Sequence, residues 1–257
     1  MIAITHASLV REYAGTAIRT LTINTYSGNV TIQRGDSNRL IITMTKHVEG
    51  KGSVQSNVAA ENQVRLKADL SRSDLDVVAR STRPESGPLR TFVDIEISLP
   101  KRLDVTIHDL SSNIRITAPL DRLDLQTMSG TATVRGAVRS IRAWSASGLL
   151  SVRQTGPAAR FFQRANLRSA SGAIAFTASA LSPSAKVEAE SMSGVVRMKI
   201  EGGALPNASA TSVSGSAHIL YPAYFSKAKR SPQNGARLVA HTVSGSVIVD
   251  LSKCAHR

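Results

Sequence analysis

One cysteine in 257 residues excludes an internal disulfide framework. Cys254 lies two residues from His256, which makes at most two metal ligands, and His6, His47, His108, His218, His241 and His256 show no metal-binding spacing. No metal and no cofactor is expected. Nor does any stretch approach the ~20 apolar residues of a membrane-spanning helix. The first twenty residues carry His6, Arg11, Glu12 and Arg19 and leave no room for the apolar core of a secretory signal. A soluble, cytoplasmic chain is expected. Aromatics are scarce, with one Trp, four Tyr and five Phe, and no nucleic-acid-binding motif appears. Acids are scarce too, with 18 against 32 Lys and Arg, which gives a net charge of +14. Asp104, Asp109, Asp121 and Asp124 are the main acidic group, and Asp109 reads as a turn cap rather than a catalyst. The G-x-S-x-G nucleophile elbow never occurs, so the chain is not expected to be an enzyme.

What the chain has is a repeat. A Ser-Gly pair recurs at Ser27-Gly28, Ser129-Gly130, Ser147-Gly148, Ser171-Gly172, Ser193-Gly194, Ser214-Gly215 and Ser244-Gly245, and Ser111-Ser112 is an eighth, disguised copy. Counting from the second residue of each pair, apolar or small residues sit at −7 and −5, as in Leu21/Ile23, Val105/Ile107 and Leu238/Ala240. They return at +2 and +4, as in Val30/Ile32, Ile174/Phe176 and Val247/Val249. Position −3 is always short and polar: Thr25, Asp109, Thr127, Ser145, Ser169, Ser191, Ser212 and Thr242. Period-two alternation on both sides of a turn marks two half-buried strands, not a helix. Glycine suits the turn because it reaches positive φ and permits close backbone approach, so the copy with Ser112 should turn differently.

A fixed repeat too small to bury its own apolar face implies stacking. The expected fold is therefore all-β, a β-solenoid or parallel β-helix-like stack of Ser-Gly repeats with an amino-terminal β block. Residues 1–100 make that block with the first repeat, and 101–257 make the regular stack, in one continuous domain. Within the block, residues 38–47, 62–70, 74–80 and 91–99 alternate without Ser-Gly and read as longer strands.

Chemistry then falls to outward positions and insertions. Arg115, Arg135, Arg153, Arg197 and Lys199 occupy +3 and +5 and would form a basic stripe. Such a stripe either binds an anionic polymer or glycan, or serves solubility and edge protection. Arg168 and Glu190 share slot −4 on successive copies and can pair across them. Trp144 occupies the same slot, where it either stacks on a sugar ring or partner or packs under a loop, packing being the expectation. Two insertions hold half of the aromatics. One carries Phe161 and Phe162, and the other Tyr221, Tyr224, Phe225, Lys227, Lys229 and Arg230. They serve as interaction loops or fold back over the flank of the stack.

Three segments carry a resemblance: TLTINTYSGNVTI, the run FVDIEISLPKRLDVTIHDLSSNIRI, and the repeats from LDLQTMSGTATVRG onward. Together they resemble the bacterial putative-adhesin family of β-strand-repeat proteins, a domain of unknown function, over residues 18 to 251. The resemblance implies an all-β, solenoid-like domain and surface binding, with no catalytic or binding residues attached. The expected function is a non-enzymatic binding or interaction scaffold for a protein or an anionic polymer. The alternative is a cytoplasmic structural protein that forms homo-oligomers through its terminal coils, since the last copy ends in VIVDLSKCAHR with little capping material. A polysaccharide-active enzyme is the third and weakest expectation.

Overall fold

The computed structural model describes residues 5–50, 64–81, 89–154, 162–222 and 235–254. Thirteen strands and no helix are found there, in a mostly parallel sheet that does not close. The chain divides into two compact units, Met1–Pro119 with Gln126–Gly130, and Leu120–Leu125 with Thr131–Arg257.

The first unit contains β1 (Thr5–Ala14), β2 (Thr20–Arg34), β3 (Arg39–Gly50), β4 (Val64–Ser71), β5 (Asp74–Ser81), β6 (Leu89–Leu99) and β7 (Asp104–Ile116). The four alternating segments of the amino-terminal block are strands β3 to β6. β1 is an additional strand that the repeat pattern does not signal. β2 is bent at Gly28, and its halves have different neighbours on one side. Thr20–Asn24 run parallel to β5 and Val30–Arg34 parallel to β6. On its other side β2 follows β7 along its full length, Ser27 against Ser111 and Gly28 against Ser112. β3 is antiparallel to both β1 and β6.

The second unit is built from the two ends of β8 (Leu120–Val134), whose middle, Gln126–Gly130, belongs to the first, and from β9 (Val138–Gln154), β10 (Arg164–Ala178), β11 (Lys186–Ile200), β12 (Asn207–Leu220) and β13 (Arg237–Asp250). From β9 on, the strands lie parallel and in register, glycine beside glycine: 148, 172, 194, 245 and 215. Inward positions −7, −5, +2 and +4 form the core, with Ile141, Leu150, Leu167, Ile174, Phe176, Val187, Val196, Met198, Leu238 and Val247 all at most 2% exposed. Each such aliphatic or aromatic side chain contributes roughly 1.5–3 kcal/mol by leaving water.

Spatial order departs from sequence order in one place. The last strand, β13, lies between β11 and β12, so β12 forms the edge. This corrects the expectation that the carboxy-terminal copy ends the stack. Composition explains it. β13 brings Leu238, Val247 and Val249 to the core positions, where they are 0% exposed. β12 brings Ala208, Ala217 and Ile219 to the same slots, and burying the two alanines in place of Leu238 and Val247 would lose far more than Ile219 adds over Val249. The strand with the larger apolar side chains takes the site with two neighbours.

Candidate binding face

The Ser-Gly corners are scaffold. All seven glycines of the repeat have φ between 110° and 138°, a region that L side chains rarely adopt. A methyl on Gly194 would also run into the carbonyl oxygen of Gly172, and one on Gly245 into that of Gly194. Beneath the corner runs the −3 column. Four of its hydroxyls reach the carbonyl of residue −1, Thr127 to Ser129 at 2.8 Å, Ser145 to Ser147 at 2.7 Å, Ser191 to Ser193 at 3.2 Å and Thr242 to Ser244 at 3.1 Å, while Ser212 donates to the Gly245 carbonyl at 3.2 Å.

Ser112 explains why the second copy differs. It lacks positive φ, and there the backbone N–H of Ser112 points inward to Asp109 Oδ2 at 2.9 Å. The Ser112 hydroxyl donates to Asp109 Oδ1 at 2.5 Å, and Thr127 Oγ1 lies 2.8 Å from Oδ2, its single proton shared between that oxygen and the Ser129 carbonyl. A trans peptide carries its N–H and C=O on opposite sides. With the carbonyl inward the group beneath must donate, as a hydroxyl does, and with the N–H inward it must accept, as the Asp109 carboxylate does for Ser112 and Thr127 together. The one acid in the −3 column therefore stands in the one copy without glycine. Asp109 is 5% exposed and fully engaged as a cap.

Outward columns differ from these corners. Across β9, β10, β11, β13 and β12, slot −4 holds Trp144, Arg168, Glu190, His241 and Thr211 side by side. Arg168 Nε lies 3.1 Å from Glu190 Oε2, which realises the expected cross-strand pair, and Thr211 Oγ1 lies 2.8 Å from His241 Nδ1. The parallel column at −2 is one the sequence reading passed over. In the second unit it holds Met192, Val243 and Val213, with 65%, 45% and 75% of their surface exposed. In the first unit it holds Leu110 and Met128, also exposed, beside Tyr26, whose hydroxyl donates to Thr91 at 3.1 Å. The alternation itself carried the signal, since an apolar residue recurs in a slot that must face outward.

Between the −4 and −2 columns of the second unit lies a hollow of about 270 Å³, lined by Trp144, Arg168, Ala170, Met192, His241 and Val243 among others. Its cause is local. Ala170 occupies slot −2 on β10, between the strand of Trp144 and the strand of Met192, and its small side chain leaves a gap. Trp144 is 38% exposed and forms part of the wall.

The proposed basic stripe occupies two rows. Arg115 is exposed in the first unit. In the second, Arg153 and Lys199 flank Thr177 on the +5 row, and each lies 3.9 Å from Glu201. Lys199 also faces Asp250 across the β11–β13 pair. Burial pushes the Asp250 carboxyl up, but hydrogen bonds from Ser252 together with Lys199 and Lys253 outweigh it and hold it below the usual carboxylate range. Arg197 lies on the +3 row, and neither it nor the exposed Arg135 forms an ion pair with another described residue.

Phe162 is no surface anchor. It is fully buried, with its ring centroid 5.5 Å from that of Phe176, because the chain entering β10 tucks it under the sheet. Tyr221 is half-buried. Phe161, Tyr224, Phe225, Lys227, Lys229, Arg230 and His256 lie outside the described residues. Asp124 stands 4.0 Å from Arg142 rather than with Asp109. No group of three metal-binding side chains occurs among the described residues. Cys254 is buried, and burial with Asp250 nearby pushes its thiol up to about 11.

No family model matches the chain, and no curated protein does. Solved structures do. A putative adhesin from Bacteroides fragilis aligns over 95% of this chain and 97% of its own, at 14% identity and a TM-score of 0.52. A putative cell adhesion protein from Clostridium sporogenes aligns over 96% and 100%, at 10% identity and a TM-score of 0.39. A putative lipid binding protein from Parabacteroides distasonis aligns over 96% and 95%, at 11% identity and a TM-score of 0.34. Of the three, only the Bacteroides protein superposes closely enough to compare folds, and at 14% identity fold is all that it compares. The chain is thus similar in fold to that putative adhesin.

Proposed function

We propose that this chain is a non-enzymatic, adhesin-like β-solenoid that binds a glycan on the outer face of its second unit. The in-register parallel strands, each bent at a glycine corner, support the solenoid reading. The hollow at Trp144 carries the functional one. An exposed indole offers a flat apolar surface to the C–H face of a sugar ring, and Met192 and Val243 extend it. Arg168, Glu190 and His241 supply donors and acceptors at its margin. At about 270 Å³ the hollow lies just under the ~300–1,000 Å³ typical of ligand pockets, which suits one or two rings of a longer chain.

A second reading has its own observation. Arg135 and Arg197 are exposed and form no ion pair with another described residue, in a chain of net charge +14, which favours an anionic polymer. Binding to an immobilised panel of neutral and sulfated oligosaccharides separates the two. The hollow reading expects Trp144→Ala to abolish binding to the retained sugar while R135E/R153E binds as before. Binding that survives Trp144→Ala and disappears with R135E/R153E, or with added salt, transfers the site to the arginines.

A further inference from the structure

We propose that β12 is an assembly edge at which two copies of this chain pair antiparallel to form a closed dimer. Three strands have a single partner among the described residues: β1, β4 and β12. Exposed edges invite pairing with other chains, and proteins usually guard them with charge, proline or a bulge. β1 carries exposed Arg11 and Glu12, and β4 carries exposed Arg65, Lys67 and Asp69. β12 spans 14 residues, NASATSVSGSAHIL, without Lys, Arg, Asp, Glu or Pro. Its neighbours in the ladder are not so composed, for β11 alone carries Lys186, Glu188, Glu190, Arg197 and Lys199. Among the described residues of the second unit, the long edge is the strand without formal charge or proline.

Among the described residues, no strand pairs with β12 on its outer side. Asn207 N donates to Ala236 O at 2.9 Å, toward β13. Successive residues of a parallel strand present their backbone groups to opposite sides. Ala208, Ala210 and Ser212 therefore direct theirs away from β13. A second copy is the occupant that this composition suits. Two identical edges meet about a two-fold axis, where each side chain near the axis faces its own equivalent. A charge there would repel itself, and β12 has none. Its alanines, serines and glycine also let the two backbones approach without steric obstruction. A two-fold pairing uses up both edges, so it stops at the dimer. The guarded β1 and β4 offer no complementary edge for a filament.

Sedimentation velocity of the full chain over a dilution series, without glycan, tests this. The expected species has twice the 27.3 kDa chain mass and dissociates on dilution. Ala210→Pro removes an outward N–H without touching the β13 ladder, and Val213→Lys places a charge at a side chain 75% exposed. Each should shift the mass to that of a single chain. Val243→Lys puts the same charge in the same column on β13, which has two neighbours, and should leave the dimer in place. If Ala210→Pro melts without cooperativity, Val213→Lys alone carries the test. A single-chain mass at every concentration overturns the proposal. So does a doubled mass retained by Val213→Lys, and so does a mass that grows past two chains. Glycan binding is measured separately, so either reading can fail without the other.

Discussion

Asp109 and Ser112 depend on each other through the orientation of one peptide unit. Asp109→Thr alone would set one hydroxyl oxygen in place of the two carboxylate oxygens that take the Ser112 N–H and the Ser112 and Thr127 hydroxyls, and the buried donors left unmatched would cost about 1–3 kcal/mol. Adding Ser112→Gly lets the corner adopt the geometry of the other seven, with the introduced threonine hydroxyl donating to the carbonyl of Ser111. Most of the lost stability should then return. The midpoints of urea unfolding for the two single variants and the double variant measure this coupling. Costs that simply add would contradict the flipped-peptide account. The pairing was half legible in the sequence. Ser112 stood out as the exception to glycine and Asp109 as the one acid in its column. Their mutual bond required knowing which way the intervening peptide faced.

At the level of strands, the repeat register was readable because inward and outward positions alternate about a fixed corner. The glycine ladder bears that out residue by residue. The order of the last two strands was not readable from the corner. β12 and β13 share the same Ser-Gly motif, and parallel neighbours of equal register are interchangeable by pattern alone. What distinguishes them is the size of the inward side chains at −7 and +2, Leu238 and Val247 against Ala208 and Ala217. Val247 is fully buried on β13, so Val247→Ala should cost about 2 kcal/mol in unfolding free energy. Ala217 holds the same slot on β12 and is exposed, so Ala217→Val should stay within about 0.5 kcal/mol of the parent. Chemical denaturation of both variants checks the assignment. Equal costs would mean that the two strands are equally enclosed. β1 went unseen for a different reason, since it lacks the Ser-Gly corner and pairs antiparallel, outside the repeat.

For the molecule as a whole, composition narrowed the possibilities without naming a ligand. Few acids and a single cysteine turned attention from catalysis to surfaces, and the repeat then divided those surfaces into columns. Trp144 was visible as an outward aromatic, but the hollow beside it arises from Ala170 on the next strand, whose small side chain matters only once the register sets it there. The same tryptophan provides the most direct test, because it is the only one in the chain and its emission reports on the hollow alone. Titrating the protein with each member of the oligosaccharide panel should give, for the bound sugar, a saturable shift in that emission. Ala170→Leu fills the gap and projects to the outside, so it should abolish the shift while leaving the melting temperature unchanged. A sugar that is retained by the protein yet leaves the tryptophan emission unmoved, or a shift that persists in Ala170→Leu, would contradict the account.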